Sequence, residues 1–287
     1  MRRIISSSPI SAFVVLTFAF SSIFCALIIA SGHVAGGGGM FATGIMWCPA
    51  FAALLLSRGD KLQRLGWKWG QSRWQLLAYV VPLGFATAAY AIVWLTGMGG
   101  VGNPEFIHSV LTEMNLSGLS PVLNVSLYVV LLAIFGVIRS MANALGEEIG
   151  WRGFLTPLLV ARYGFTRGSL TVGVIWGIYH LPVLLFADYN AGTPWWFALP
   201  CFFALVIAES LIMAWLRLRS GSLWTGVVLH ASHNLFIQQF FTPITIAKGP
   251  ITAYAIDEFG FVLPLVVIVV AVLFWRRRNS LPPLAAS

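Results

Sequence analysis

The sequence predicts an all-α, polytopic membrane protein, a bundle of about eight transmembrane helices around an intramembrane polar cavity. Three observations carry that expectation. Of 287 residues, 59% are apolar and only 9% are charged, whereas a soluble domain carries about a quarter charged residues. Long uncharged stretches recur along the whole chain, and the few basic residues fall in alternate gaps between them. The same composition excludes a disordered chain, which needs low hydrophobicity and high charge. The net charge of +8 does not indicate nucleic acid, because the basic residues are too few and too scattered to track phosphates.

The apolar stretches cover residues 10–30, 41–56 (lengthened upstream by 36–40), 74–95, 122–138, 169–186, 195–216, 223–241 and 259–275. Most approach the roughly 20 residues that a spanning helix needs. Pro49, Pro82, Pro182, Pro200 and Pro264 lie inside them. In a membrane bundle, neighbouring helices satisfy the carbonyls that such prolines free.

Charge tests the count. If the N-terminus is cytoplasmic and every stretch crosses, the cytoplasmic side receives sixteen of the 17 basic residues. These are Arg2 and Arg3; then Arg58, Lys61, Arg64, Lys68 and Arg73; then Arg139, Arg152, Arg162 and Arg167. Arg217 and Arg219, and finally Arg276, Arg277 and Arg278, complete the set. The opposite side receives Lys248 with Glu105, Glu113, Asp188, Asp257 and Glu258. The positive-inside rule predicts this bias, so both termini are expected in the cytoplasm, and the cell membrane is the expected site. Arg2 and Arg3 before an apolar run also fit a signal peptide. The run of about twenty residues exceeds the usual 7–15 of a signal core, so the first helix is read as retained.

Cys25, Cys48 and Cys201 lie within spans and read as buried apolar residues rather than a disulfide set. The run Gly36 to Gly39 reads as a flexible turn. No Lys-Ser or Lys-Thr follows it as a phosphate loop would require. The tail Leu284-Ala285-Ala286-Ser287 has no prenylatable cysteine. Trp195 and Trp196 suit an interfacial aromatic belt.

Ionisable residues within spans mark functional sites by default. Here they are His180, Glu209, His230 and His233, with Glu147 and Glu148 following the fourth span. Helical rise places His180 roughly 20 Å past Arg167 and His230 roughly 16 Å past Arg219, at similar depth on different helices. Asn234 lies one turn beyond His230 on the same face. Arg139 is expected to mark the cytoplasmic end of the fourth span. The twenty residues after it extend the helix or form a re-entrant or interfacial segment. If Glu147 meets the histidines, the cavity is expected to open toward the cytoplasm.

Within Glu147-Glu148-Ile149-Gly150-Trp151-Arg152, Glu148 and Arg152 form an i, i+4 pair in the favoured orientation. Glu147 points about 100° away and is left available for proton transfer. Gly146 and Gly150 allow another backbone or a substrate to approach closely.

Three motifs in this order resemble the CPBP family (CAAX protease and bacteriocin-processing, also called Abi), intramembrane endopeptidases that include the CAAX-cleaving, Ras-converting enzymes. Glu-Glu-x3-Arg is matched by Glu147, Glu148 and Arg152. Phe-x3-His is matched by Trp176 and His180, with Trp in place of Phe, and His-x3-Asn by His230 and Asn234. The resemblance covers about residues 144–236 and also implies an eight-helix core. It divides the chain into three N-terminal helices (1–120), a catalytic core (121–245) and a last helix with its basic tail (246–287).

The resemblance and the residue chemistry imply the same peptide hydrolysis. Glu147 is the general base, a partly desolvated carboxylate. His180 orients the water or shuttles its proton, and His230 and Asn234 stabilise the oxyanion. Glu148, Arg152 and Trp176 support them. A metal version uses Glu147, His180 and His230 as ligands of a divalent ion such as zinc. The metal-free version is preferred, since no His-Glu-x-x-His signature is present. His233 reads as a packing or supporting residue. Glu209 is either bonded to a neighbouring helix or lines the cavity. The expected partners are the bilayer and a peptide or protein substrate, lipidated or membrane-embedded. The competing readings are a proton-coupled transporter, which also places Glu and His at mid-membrane, and a catalytically inactive relative with an immunity or chaperone role.

Overall fold

A computed structural model describes residues 8–283 apart from 58, 60 and 117, and leaves out the side chain of residue 61. Arg2, Arg3, Arg58, the Lys61 side chain and the tail 284–287 lie outside the described residues.

Helices dominate, in chain order: α1 (Pro9–Ser31), a 3-10 turn (Gly36–Gly39) leading into α2 (Met40–Leu56), the short α3 (Lys61–Leu65) and α4 (Ser72–Leu95). Strand β1 (Gly99–Val101) and helix α5 (Pro104–Met114) follow. The next run holds α6 (Pro121–Leu131), a π-turn (Leu132–Gly136), α7 (Val137–Glu148), a second π-turn (Ile149–Leu155) and α8 (Thr156–Phe186). Then come α9 (Trp195–Ser220), α10 (Trp224–Phe236) with a π-turn (Ile237–Phe241), α11 (Thr242–Ile244), β2 (Thr245–Ala247), α12 (Pro250–Ala255) and α13 (Val262–Arg276).

Among the described residues five helical runs are long and apolar enough to cross a membrane: Pro9–Ser31, Gly36–Leu56, Ser72–Leu95, Pro121–Phe186 and Trp195–Ser220. The chain is an all-α polytopic membrane protein. Large apolar side chains stay bare on its outer faces, Leu95 at 88% and Val122 at 76% exposure among them. Water would penalise such faces, and lipid does not. The other two expected spans are shorter, a 15-residue α13 and a 13-residue α10 prolonged by its π-turn.

The run from Pro121 to Phe186 revises the expected fourth and fifth spans. Arg139 does not end a helix; the helix continues through it into the Glu147 segment, so helix extension is the alternative the chain adopts. The break comes instead at Gly164, with φ 76° and ψ 167°. An L side chain rarely adopts that conformation, so glycine is the residue that lets the chain double back. The pairing of β1 with β2, antiparallel with Gly99 opposite Ala247, was not foreshadowed by any alternating pattern.

Two features fix the Glu147 segment against α2. A Cβ on Gly146 would lie 2.6 Å from the Met46 carbonyl oxygen, and one on Gly150 would lie 2.9 Å from the Pro49 carbonyl oxygen. The close approach that these glycines allow is thus to another backbone. Pro49 lacks an N–H and leaves the carbonyl of Ile45, four residues back, without its helical donor. The Tyr179 hydroxyl donates to that carbonyl at 2.7 Å, tying α2 to the helix that carries His180.

Candidate active site

Glu147 lies one residue before the end of α7 and is 2% exposed. It is not left free, as its helical direction alone suggested. Its Oε2 accepts two indole N–H bonds, from Trp151 at 3.0 Å and from Trp176 at 2.7 Å. Trp176 therefore does more than keep an aromatic ring one turn from His180. Its N–H holds the candidate base, and the Arg152 guanidinium lies over its ring at 4.4 Å.

Glu148 and Arg152 form the expected i, i+4 pair, Nη1 to Oε1 at 2.9 Å, with both side chains fully buried. The same Oε1 lies 3.0 Å from His230 Nδ1. A carboxylate already accepting from arginine has no proton to give, so Nδ1 is the donor and Nε2 is the nitrogen left for the cavity. Arg152 also donates to Ser210 Oγ at 3.3 Å, while its own carbonyl accepts from Arg217 Nε at 3.0 Å. Burying these charges is tolerable because they are paired and hydrogen-bonded.

His180 donates from Nδ1 to the Trp176 carbonyl at 3.0 Å, since a carbonyl can only accept. This fixes the tautomer and leaves the Nε2 lone pair free. Its ring is flanked by Tyr189 and Phe202, at centroid distances of 6.0 and 5.3 Å. Glu147, Trp176, His180, His230 and Asn234 line one cavity of about 210 Å³ with Glu209, His233, Gln238, Glu258 and an apolar wall. The described residues give the Asn234 amide no hydrogen-bond partner. The site residues expected from sequence are therefore brought together, with Glu148 and Arg152 directly behind the cavity wall.

His233 bridges two carboxylates. Its Nε2 lies 2.9 Å from Glu258 Oε1, and its Nδ1 lies 2.6 Å from Glu209 Oε1, an ionic contact rather than an aligned hydrogen bond. Gln238 and Tyr189 also donate to Glu258, at 2.8 and 3.1 Å. Glu209 thus both pairs with a neighbouring helix and lines the cavity. Glu258 corrects the sequence reading. Counted there as a loop charge, it is 4% exposed and forms part of the cavity wall. The adjacent Asp257-Glu258 pair just before an apolar helix was the available signal. Tyr189 and Gln238 carried none.

The cavity lies toward the end of the bundle away from the Arg-bearing turns. Its lining comes from the end of α1 and the turn after it (Ile28, Val34), the start of α2 (Ala42, Met46), the end of α8 and the following loop (Val183, Tyr189), and the turn holding Glu258. No lining residue comes from the Arg-bearing turns. Beside this end, Asp188 accepts from the Val34 backbone N–H at 2.7 Å and contacts His33 Nδ1 at 3.1 Å. The Val34 bond, with help from His33, holds the Asp188 carboxyl below its ordinary range.

Among the described residues no three His, Cys, Asp or Glu side chains converge as metal ligands. Both indole donors occupy the Glu147 oxygen, and Glu148 takes one nitrogen of His230. Glu147 Oε1 and the Nε2 atoms of His180 and His230 stay free, but as placed the three do not converge as ligands of one ion.

Comparison with known proteins adds a similarity. A model of the type II CAAX prenyl endopeptidase Rce1-like family matches residues 127–236. A 96-residue stretch is 27% identical to CAAX prenyl protease 2 of Methanococcus maripaludis, covering 31% of this chain. The match takes in 34% of that relative, so the chain spans about a third of the curated protein's length. The matched segment supplies Glu147, Trp176, His180, His230 and Asn234 to the cavity lining, and residues 127–236 are similar to the Rce1-like CAAX endopeptidase family that the three motifs implied.

Proposed function

We propose that the chain is a membrane-embedded endopeptidase that hydrolyses a peptide bond with a water activated by Glu147. The single observation that carries this reading is the convergence of Glu147, His180, His230 and Asn234, from three helices, on one buried cavity. With Oε2 held by two indoles, Oε1 of Glu147 takes the water proton. The hydroxyl adds to the scissile carbonyl carbon, and His180 Nε2 accepts the second water hydrogen bond. The Asn234 amide and His230 Nε2, when protonated, donate to the tetrahedral oxyanion. The C–N bond then breaks, and Glu147 returns its proton to the leaving amine. The products are a carboxylic acid and an amine, which then exchange a proton, and the base is regenerated.

The substrate is a peptide or protein, lipidated or membrane-embedded, and the bilayer is the second partner. Both termini lie in the cytoplasm on the charge argument above, and residues 121–245 form the catalytic core. The test compares membrane and secreted peptides from cells carrying the intact chain or its Glu147→Ala, His180→Ala or His230→Ala variants. Each variant accumulates uncleaved substrate while remaining folded. Continued cleavage by the Glu147 variant refutes the general-base role. Elemental analysis and chelator treatment of the purified protein separate the metal-free reaction, which survives chelation, from a metal-dependent one.

A further inference from the structure

The two ends of the bundle differ in charge and in what they expose. At one end the turns are pinned to each other. Trp224 Nε1 donates to the Trp67 carbonyl at 2.7 Å, Arg219 donates to the Ser280 carbonyl at 2.7 Å, and Trp275 Nε1 donates to Thr166 at 2.9 Å. Arg64, Lys68, Arg73, Arg162, Arg167, Arg217, Arg219 and Arg276–Arg278 belong to these turns. Arg73 and Arg219 lie over Trp74, and Arg278 lies over Trp275. Arginine mixed with tryptophan marks a headgroup layer, and the excess of basic residues marks the cytoplasmic one.

The other end is assembled from Val34 with Asp188, Tyr189 with Glu258, and β1 with β2. Its loops hold Lys248 as their one lysine or arginine, beside Glu105, Glu113, Asp188, Asp257 and Glu258. The cavity reaches from this end into the middle of the bundle. Val34, Tyr189 and Gln238 line it and are half-buried or exposed, whereas Glu147 and His230 form its buried floor.

We infer that the active-site cavity is entered from the non-cytoplasmic face, so the substrate class is a peptide presented outside the cytoplasm, such as the exported part of a membrane-anchored or secreted chain, rather than a cytoplasmic C-terminus. This rests on the peptidase reading for its chemistry but not for its geometry. The apolar wall receives an extended apolar segment. The polar floor receives the scissile amide, and the basic end plays no part in recognition.

Two measurements test it. Cysteines are placed singly at Val34 and at Gln238, and for comparison at Arg64, in a chain whose Cys25, Cys48 and Cys201 are replaced by alanine. In intact spheroplasts a membrane-impermeant maleimide labels Val34→Cys and Gln238→Cys and spares Arg64→Cys until the membrane is permeabilised. The reverse pattern overturns the inference. Second, a fluorogenic apolar peptide too polar at its ends to cross lipid is offered to sealed spheroplasts and to inverted vesicles. Cleavage at least ten times faster by spheroplasts supports entry from outside. Cleavage mainly by inverted vesicles overturns it. Cleavage by neither preparation nor by detergent-solubilised protein defeats the peptidase reading alone, and the labelling pattern still decides the face.

Discussion

His230 and Glu148 share a hydrogen bond of 3.0 Å, and the oxygen involved also receives Arg152 at 2.9 Å. One buried carboxylate therefore orients an imidazole at the cavity and neutralises a guanidinium behind it. Carboxylate partners of this kind set which ring nitrogen of a histidine faces a site.

Replacing Glu148 with alanine leaves Arg152 charged, fully buried and without its ion pair. Breaking such a pair costs about 3–5 kcal/mol. The expected outcome is a large drop in the thermal midpoint of the detergent-solubilised protein, followed by tryptophan fluorescence. Glu148→Gln, which keeps an acceptor, is expected to lose less stability but still to lose activity. A Glu148→Ala protein as stable as the parent contradicts the pairing.

Trp176→Phe restores the residue that the family motif carries and removes one of two donors to Glu147. A hydrogen bond to a charged group contributes about 1.5–3 kcal/mol, so kcat is expected to fall roughly ten- to a hundredfold with KM nearly unchanged. An equal rise in KM assigns the indole to substrate binding instead. In a 15N-tryptophan spectrum of Glu147→Ala, the Trp151 and Trp176 indole protons are expected to move upfield as their acceptor disappears.

His233→Ala leaves Glu209 and Glu258 facing each other across the cavity wall without the ring between them. The variant is expected to lose about 3–5 kcal/mol, visible as faster proteolysis and a lower thermal midpoint. Tyr189 and Gln238 still hold Glu258, so Glu209→Gln in the same background is expected to recover part of the loss. No recovery argues that the ring acts through packing alone.

Asp188 ties the loop after α8 to Val34. Its carboxyl is held below the ordinary 3.8 chiefly by the Val34 N–H. A depressed carboxyl stabilises the folded form above its ordinary value and loses that contribution as pH falls through the depressed one. The loop is expected to stay protected from protease at neutral pH and to open only below about 3.8. Asp188→Asn is expected to show the opened behaviour at every pH.

Much of this was legible in the sequence because lipid enforces simple rules. Apolar runs predicted the helices, His180 and His230 stood out because charge within a span is costly, and Glu147 was legible through its Glu-Glu-x3-Arg motif. Arg139 misled as a boundary, because an exposed arginine does not interrupt a helix that neighbouring turns continue. Glu258 was hidden by its position in a turn 25 residues from His233, a contact that no local periodicity records. The indole bonds to Glu147 were hidden for another reason. Tryptophan reads as bulk in a pattern, and only the packing shows where its one N–H points.

Gly146 and Gly150 stand on either side of Glu147 along the chain, and each packs closely on α2, at Met46–Trp47 and at Pro49. They act as teeth of a ratchet with no intermediate stop. Sliding the helix that carries Glu147 by one residue would shift it about 1.5 Å and turn it about 100°. That turn would bring Glu147 itself against the Met46 carbonyl and swing its carboxylate out of the cavity. Two absent methyl groups thus help index the candidate base to its histidines.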